Sequence, residues 1–268
     1  MPPEFRPPDM LPQSFKDIRQ NIQESIQKNI RLIATDMDGT LTHHGRFTPD
    51  LLTALLALEQ AGLTVLIVTG RSAGWVAGVV HYLPVAGAIA ENGGVFLSPQ
   101  GESHLLTPLP DPLAHRQALA QMFNTLRTRF PQLQEATDNR YRLTDWTFDI
   151  APLSNVDLQG IHHHCQAAGW SFTYSTVQGH IKPVGQEKAI ALSHLLTTRF
   201  PDLSRDQVIT VGDSPNDASL FDPARFPLSV GVANVRHYLP QLPHAPRYIT
   251  TGEEVAGFCE LVRSLLDT

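Results

Sequence analysis

The chain has 268 residues, of which 42% are hydrophobic and 7% aromatic, and this length allows a sizeable core in one large domain or two smaller ones. The formal net charge of -6 gives no general reason to expect nucleic acid or a membrane surface as a partner. Cys165 and Cys259 lie far apart without metal or redox spacing, no apolar run has membrane-spanning length, and residues 1–13 lack the apolar segment of a signal peptide. We therefore expect a cytoplasmic protein that contacts neither nucleic acid nor membrane.

Residues 1–30 are predicted to form an N-terminal extension. Residues 1–13 are rich in proline and are expected to be irregular. Between residues 14 and 30, isoleucine recurs at every fourth position behind Ser14-x-x-Asp17, which has the spacing of a capping box. This pattern predicts an amphipathic helix whose apolar stripe packs against the rest of the protein or, as the less favoured alternative, against a second copy of the chain. Both a monomer and a homodimer remain open.

Residues 31–96 alternate buried strands with helices. Apolar strands are predicted within RLIAT, LTVLIVTG and GAIAENGG, and helices within TPDLLTALLALEQAG and SAGWVAGVVHYL. The first of these helices has a proline early and a glycine after its end, as is typical of helix boundaries. Buried strands that alternate with helices predict a parallel sheet covered by helices on both faces.

The pattern changes at residue 97 and returns at residue 183. Residues 97–182 predict a hairpin around Pro99-Gln100-Gly101, followed by helices and further strands that form an α+β module. Residues 183–268 again alternate helices with apolar strands. The sequence thus predicts an α/β core, formed by residues 31–96 and 183–268, with an α+β module inserted between its two halves.

Polar clusters follow the buried strands of the α/β core. Asp36 and Asp38 follow RLIAT, Thr69-Gly70-Arg71 follows TVLIV, GDSPND (212–217) follows VITV, and Lys188 lies near the start of a helix. The ligand crevice of an open parallel sheet lies outside the carboxyl ends of its strands, so these groups can meet in one site. Carboxylates suit Mg²⁺, and turn amides with a lysine suit phosphoryl oxygens. The sequence therefore predicts a site for Mg²⁺ and a phosphate group.

The spacing of Asp36 and Asp38 indicates how the two carboxylates divide the chemistry. Alternate residues of a strand face the same side, so this pair would repel unless a cation is bound or the chain turns, and Gly39-Thr40 is consistent with a turn. An Asp36 carboxylate held by Mg²⁺ stays ionised and can attack phosphorus, giving an aspartyl-phosphate. Asp38 can then protonate the leaving alcohol and later activate water. Mg²⁺, Lys188, Thr69 and loop amides would neutralise the phosphoryl oxygens.

These motifs closely resemble those of the haloacid dehalogenase-like phosphatase superfamily, and the resemblance extends over about residues 31–268. DMDGTLT matches the DxDGT[LT] loop of that family. The match implies that Asp36 is the nucleophile and that Asp38 is the general acid and base, with its backbone carbonyl on the metal. VTGR resembles the second family motif, which implies that Thr69 and the amide of Gly70 bind the phosphate.

The remaining family motifs lie in the second half of the core. GDSPND resembles GDxxND, which implies that Asp213 binds Mg²⁺, that Asn216 lies near the phosphate and that Asp217 lies in the outer shell of the metal. Lys188 falls where the family writes KGxAL, although alanine replaces the glycine here. Lys182 competes for the same role, and Lys188 is favoured because it lies at a helix start.

The position of the inserted module and its AENGG turn resemble the C2-type cap of the Cof and sucrose-phosphate-phosphatase-like subgroup. This resemblance implies a Mg²⁺-dependent phosphatase of a small phosphorylated metabolite, with a sugar phosphate favoured, and a cap that selects the substrate. Phosphomannomutase has a similar core and cap, so a sugar phosphomutase is an alternative. A non-catalytic sensor of a phosphorylated metabolite is another, less favoured because every catalytic position is filled.

Other polar residues give weaker signals. His43 and His44 could line the cleft, and an ordinary surface loop is at least as favoured. Residues 162–164 are three consecutive histidines, which would point in different directions on a helix and are interpreted as a solvated face rather than a metal site. Five residues of the module are possible substrate contacts, although a structural role in strand pairing is favoured for each: Arg140, Arg142, Asp145, Trp146 and His180.

Overall fold

The structure is a computed structural model that describes residues 13–14 and 30–266. Within these residues it contains a nine-stranded sheet and a three-stranded sheet. The strands are β1 (Gln13–Ser14), β2 (Leu32–Thr35), β3 (Thr64–Val68), β4 (Gly87–Ala90), β5 (Val95–Leu97), β6 (Ser103–Leu105), β7 (Trp146–Asp149), β8 (Trp170–Tyr174), β9 (Gln178–Pro183), β10 (Val208–Gly212), β11 (Leu228–Gly231) and β12 (Tyr248–Ile249). The α-helices are α1 (Pro49–Gln60), α2 (Ala73–Tyr82), α3 (Pro112–Arg129), α4 (Asn155–Ala167), α5 (Lys188–Arg199) and α6 (Glu254–Leu266), and the 3₁₀ helices include Thr137–Tyr141 and Pro215–Phe221.

The larger sheet has the strand order β1-β12-β11-β10-β2-β3-β4-β5-β6. Neighbouring strands run parallel from β1 to β4, and the hairpin of β5 and β6 continues the sheet in antiparallel pairing. In the register, Thr35 at the end of β2 lies beside Ile67 of β3 and Val211 of β10. The loops that follow β2, β3 and β10 therefore leave the same edge of the sheet side by side.

Helices cover both faces of this sheet. Along β2, Ile33 packs in one apolar cluster with α1, α2 and α6, whereas Leu32 and Ala34 pack in a second cluster with α5. Because alternate residues of a strand face opposite sides, a strand buried on both faces reads as a continuous apolar run. The predicted α/β fold, with a mostly parallel sheet and an inserted α+β module, is confirmed.

Capping residues set the starts of several helices. The Thr48 hydroxyl accepts a hydrogen bond from the Leu51 amide at 3.3 Å, directly before Pro49 at the first position of α1. Asp111 caps α3 in the same way. At α4, Ser154 and Asp157 form a reciprocal capping box. These short polar side chains satisfy amides that a helix start leaves without partners.

The inserted module, residues 112–183, has its own core. Its sheet has the order β7-β9-β8, and α3 and α4 pack against one face. Phe123, Phe148 and Phe172 stack at the centre of that face, with ring centroids 5.9 Å apart in both neighbouring pairs. The sequence placed the start of the module at residue 97, whereas β5 and β6 pair with β4 and so extend the larger sheet.

The N-terminal extension is described only in part. Most of the helix predicted between residues 14 and 30 lies outside the described residues. Ser14, the predicted capping residue, belongs instead to β1, where it lies parallel to Ile249 of β12. None of the described helices is long and apolar enough to cross a membrane.

The stacked phenylalanines generate a prediction for stability. Phe148→Ala should lower the free energy of unfolding by about 3–5 kcal/mol, because it leaves a cavity between two rings that cannot close. Urea denaturation followed by circular dichroism measures this quantity.

The matched control is Val156→Ala on α4, where the side chain is 76% exposed. It should change the free energy of unfolding by less than about 0.5 kcal/mol. Equal effects of the two substitutions would contradict the packing of the module described above.

Candidate active site

Three buried carboxylates converge at the edge where the parallel strands end. Asp36 directly follows β2, and its amide donates to the Val211 carbonyl of β10 at 2.8 Å. Asp213 directly follows β10, and Asp217 lies in the next 3₁₀ helix. Carboxylate oxygens of Asp36, Asp213 and Asp217 all lie within 4.8 Å of one another. The parallel register thus brings together side chains that are far apart in sequence.

Lys188 is the cation that faces this cluster. It begins α5, and its ammonium donates to Asp36 Oδ1 and to Asp217 Oδ1, both at 2.6 Å. Burial opposes its charge, but attraction to Asp217 and Asp36 is stronger, so the pKa of Lys188 is raised. This single ammonium stands against three carboxylates in the described cluster.

The pKa values of the carboxylates reflect this shortage of positive charge. Burial raises the pKa of Asp36 to about 7, with Lys188 opposing the rise and Asp217 adding to it. Burial also raises the pKa of Asp213 well above its ordinary value, and repulsion from Asp36 adds to that. A buried group of oxygen ligands whose negative charge exceeds that of its single ammonium partner fits a divalent metal ion. The cluster could therefore hold such an ion.

The turn after β10 fixes the last of these carboxylates. Asp217 Oδ2 accepts the amides of Asp213 at 2.9 Å and Ser214 at 3.1 Å, while its other oxygen accepts from Lys188. A Cβ on Gly212 would lie 2.5 Å from Asp217 Cγ, so this close approach requires glycine. Asp217 therefore holds the loop and Lys188 in place. Carboxylate oxygens of Asp213 and Asp36 lie within 4.8 Å of each other.

The loop after β2 separates its two aspartates. Gly39 has φ +78, and a Cβ there would lie 2.6 Å from Asp213 Oδ2. The turn directs Asp38 away from Asp36 and onto Arg71, whose guanidinium binds both carboxylate oxygens at 2.8 and 2.6 Å. Asp36 thus pairs with Lys188 and Asp38 pairs with Arg71. The two carboxylates are close in sequence, but their repulsion is relieved because each has a cation of its own. Sequence analysis grouped Arg71 with the second motif but did not identify it as the partner of Asp38.

The second motif lies against the inserted module. The Thr69 hydroxyl accepts the Arg71 amide at 3.1 Å. A Cβ on Gly70 would lie 3.0 Å from His180 Cε1 and 3.2 Å from Asn92 Nδ2, so a larger residue would have to displace these side chains. The Gly70 carbonyl accepts from the Arg142 guanidinium at 2.9 Å. Core and module therefore meet at the predicted phosphate-binding turn.

Asn92 is a residue of the site that sequence analysis missed. Its Oδ1 accepts the Asn216 amide at 3.0 Å, which links the loop after β4 to the loop after β10. Its Nδ2 is buried and has no hydrogen-bond partner among the described residues. A buried amide donor without an acceptor is costly, so this group offers a place for a ligand oxygen. The only signal in the sequence was its position in AENGG, which was interpreted as a connection.

Three of the predicted module contacts form one buried network. Arg142 donates to both oxygens of Asp145, at 2.9 and 3.1 Å, and to Asp138 at 2.9 Å. Asp145 also binds His180 Nδ1 at 2.9 Å. Burial opposes ionisation of Asp145, but Arg142 and His180 hold its pKa below the ordinary value. These residues act together as a support for the loop of Gly70.

The other two predicted contacts lie elsewhere. Arg140 is exposed and lies over the Tyr141 ring, 4.8 Å from its centroid. Trp146 stacks under the Arg116 guanidinium at 4.4 Å and packs at the margin of the module core. Neither residue belongs to the network that faces Gly70.

A second connection between core and module runs through Glu91. Its buried carboxylate accepts the Ala73 amide at the start of α2, at 2.9 Å, and the Leu143 amide of the module at 3.0 Å. Thr144 donates both its amide and its hydroxyl to the same carboxylate, at 2.6 and 2.7 Å. Glu91 therefore fixes the module to the core beside the site.

Comparison with known proteins gives the family of this chain. A family model for haloacid dehalogenase-like hydrolases matches residues 33–130, which include Asp36, Asp38 and the second motif. Residues 33–130 are therefore those of a haloacid dehalogenase-like hydrolase. The predicted family is thereby confirmed.

Curated relatives of this hydrolase include two archaeal enzymes named phosphoglycolate phosphatase. The one from Metallosphaera sedula is 25% identical over 242 residues, which cover 88% of this chain and 100% of the relative. The one from Pyrobaculum islandicum is 29% identical over 240 residues, which cover 88% of this chain and 96% of the relative. The hydrolase is an enzyme of the phosphatase class.

Solved structures share the fold of the hydrolase. A Thermoplasma acidophilum protein superposes with a TM-score of 0.72 at 21% identity, over 88% of this chain and 98% of that chain. The C-terminal domain of a C. albicans trehalose-6-phosphate phosphatase superposes with a TM-score of 0.71 at 13% identity, over 96% of this chain and 98% of that chain. The architecture of core and module is therefore common to these proteins.

A cavity of about 730 Å³ lies between the core and the module of the hydrolase. At its core end it is lined by Asn92, Lys188 and Asn216, and on the module side by residues that include Thr173 and Lys182. This volume is within the range of small-molecule sites. Lys188, which pairs with Asp36 and Asp217 of the carboxylate cluster, thus also lines a space that suits a small metabolite.

The histidine clusters noted in the sequence lie apart from the carboxylates. His43 and His44 occupy an exposed turn, where His43 Nδ1 lies 2.9 Å from the Glu254 carboxylate. On α4, His162 lies edge-on to the Phe172 ring and His164 edge-on to Phe130. The helical histidines therefore point in different directions.

The raised pKa values of the cluster generate a prediction about metal binding and pH. With a pKa of about 7, Asp36 in the folded protein keeps its proton at pH values where the unfolded chain, with a pKa of 3.8, has lost it. This stronger proton binding stabilises the folded state at low pH, and the stabilisation is lost as pH rises through about 7. A divalent cation held by the cluster would take the place of this proton. Mg²⁺ in excess over EDTA should therefore raise the melting temperature more at about pH 8 than at about pH 6, by at least ~3 °C at the higher pH.

Differential scanning fluorimetry measures this shift. Asp213→Asn removes one carboxylate of the cluster and should abolish most of the Mg²⁺-dependent increase. An increase of the same size at both pH values, or in both proteins, would place the bound ion elsewhere.

Proposed function

We propose that this hydrolase is a Mg²⁺-dependent phosphatase of small phosphate monoesters that acts through an aspartyl-phosphate on Asp36. The observation that supports this most directly is the buried pairing of Asp36 with Lys188 at one end of a cavity of metabolite size. A nucleophilic carboxylate needs a fixed position, exclusion of bulk water and nearby positive charge, and this end of the cavity supplies all three.

The donor set fits Mg²⁺ as the divalent ion. The carboxylates of Asp36 and Asp213 and the backbone carbonyl of Asp38 would hold it, with Asp217 behind them. When bound, the ion would neutralise phosphate charge and keep Asp36 ionised. The raised pKa values of Asp36 and Asp213 support a cation at this place.

The chain's own residues account for the two chemical steps. An Asp36 carboxylate oxygen attacks phosphorus, the bond to the ester oxygen breaks, and Asp38 gives a proton to the departing alcohol. In the second step water attacks the phosphorus of the aspartyl-phosphate, and Asp38 takes a proton from that water. The bond between phosphorus and Asp36 then breaks, which releases phosphate and restores the carboxylate.

Donors around the cavity end would hold the phosphoryl oxygens during both steps. These are the Lys188 ammonium, the Thr69 hydroxyl, the Gly70 amide and the side-chain amides of Asn92 and Asn216. Fixed donors stabilise the spread of charge in the transition state without reorganising. The unpartnered Nδ2 of Asn92 supports its inclusion in this set.

The substrate is proposed to be a small phosphorylated metabolite. Relatives named phosphoglycolate phosphatase make 2-phosphoglycolate the first ester to test, alongside the sugar phosphates that the sequence favoured. A panel that contains both classes shows whether the alcohol released from the ester is a short hydroxy acid or a sugar. Phosphate release with Mg²⁺ and with EDTA is the measurement.

Asp36→Asn should abolish Mg²⁺-dependent phosphate release, with a loss of at least ~10³-fold, because the amide cannot form the aspartyl-phosphate. Circular dichroism should show that the fold is retained. The matched control is Asp50→Asn, the same change at an exposed position of α1, which should leave turnover unaltered.

Two results would contradict this proposal in different ways. Substantial turnover by Asp36→Asn would remove Asp36 as the nucleophile. No phosphate release from any ester by the unaltered protein would remove the phosphatase reaction itself, and isomerisation of sugar 1-phosphates would then support the phosphomutase alternative.

A further inference from the structure

The sheet of the inserted module presents a polar face to the cavity. Alternate residues of β9 point to opposite sides, so His180 and Lys182 share one face while Ile181 packs in the core of the module. Lys182 lies opposite Ser171 of β8, and His180 lies opposite Thr173. Lys182, Ser171 and Thr173 all line the cavity. This face therefore places a cation and two hydroxyl-bearing residues on the wall that the module contributes.

Lys182 is buried without a carboxylate partner. Lys182 is only 4% exposed, and its ammonium donates a hydrogen bond to the Gln186 carbonyl. Among the described residues, no carboxylate oxygen lies within 4.0 Å of that ammonium. Burial lowers its pKa to about 8, with Glu187 and Asp145 only partly offsetting the effect. A buried cation in this state is costly unless an anion joins it.

The comparison with Lys188 makes the difference clear. Lys188 is equally buried but contacts two carboxylates at 2.6 Å. Of the carboxylates near Lys182, Asp145 binds Arg142 and His180. Glu187 lies on the same cavity wall, partly exposed and more than 4.0 Å from the Lys182 ammonium. Arg225, another cation on the cavity wall, already has Asp222 as a partner at 3.4 Å. Lys182 is therefore the charge on this wall that most lacks a counterion.

We propose that Lys182 binds a carboxylate of the substrate and thereby selects, among the esters named under the proposed function, the phosphate esters of hydroxy acids. The phosphate end of this inference rests on the proposed function. One ammonium with neighbouring hydroxyl groups matches a single negative charge better than a second phosphate, which would need more donors. Lys182 would thus select the acid over a neutral alcohol of the same size.

A pair of matched esters tests this selection. 2-Phosphoglycolate and 2-hydroxyethyl phosphate differ only in having a carboxylate or a hydroxymethyl group. The unaltered enzyme should prefer 2-phosphoglycolate in kcat/KM. Lys182→Met should lower kcat/KM for 2-phosphoglycolate by roughly 30-fold to 100-fold, mainly through KM, and should change that for 2-hydroxyethyl phosphate less than ~3-fold.

Two further variants control for charge. Lys182→Arg keeps the positive charge and should restore part of the preference. Arg205→Met removes one positive charge at an exposed position away from the cavity and should leave both esters unaffected. Equal losses on both esters with Lys182→Met would show that Lys182 only supports the Gln186 loop, and would overturn the inference.

The outcomes separate this inference from the proposed function. Hydrolysis of both esters without a preference for the acid would overturn the carboxylate subsite and leave the phosphatase reaction standing. If neither ester is hydrolysed, calorimetric binding of 2-phosphoglycolate decides, because Lys182→Met should still raise its Kd by roughly 30-fold. An unchanged Kd would overturn the subsite.

Discussion

The active site depends on the contact of one buried ammonium with two buried carboxylates. Lys188 reaches Asp36 on one side and Asp217 on the other, both at 2.6 Å. Ions of this kind are expensive to bury alone, and removing one partner leaves the others uncompensated. The contact therefore fixes three separate segments of the chain, the loops after β2 and β10 and the start of α5. It also leaves the carboxylates in excess over the cation, which makes the cluster a place for a metal ion.

The inserted module is attached to the core by charged groups rather than by an apolar interface. Glu91 accepts hydrogen bonds from the Leu143 and Thr144 segment, and Arg142 donates to the Gly70 carbonyl. Buried charges that have all their partners define one geometry sharply, because any displacement breaks several hydrogen bonds at once. The module therefore holds His180 against the turn of Gly70.

Two lysines line the cavity at different places, one at its core end and one on the module wall. Lys188 lies among carboxylates at the core end, whereas Lys182 lies on the module wall with a carbonyl as its hydrogen-bond acceptor. The core end thus suits a metal with a phosphate, and the module wall suits a smaller anion. Because the core residues come from family motifs and the wall comes from the inserted module, the proposed chemistry and the proposed selectivity would be carried by different parts of the chain.

Sequence alone determined the α/β core, the inserted module and the motif residues at the strand ends. An apolar run followed by a polar cluster is a local pattern, and parallel strands bring such clusters to one edge, so Asp36 and Asp213 could be placed together from their spacing. The predicted boundary at residue 97 divides the hairpin of β5 and β6, because its pairing with β4, which extends the larger sheet, leaves no local pattern in the sequence. Tertiary structure alone decided that Arg71 binds Asp38. It also decided that, among the residues the structure describes, the Asn92 amide has no acceptor and the Lys182 ammonium no carboxylate partner. The physical reason is that a partner, or its absence, depends on which distant segments the folded chain brings within hydrogen-bond distance.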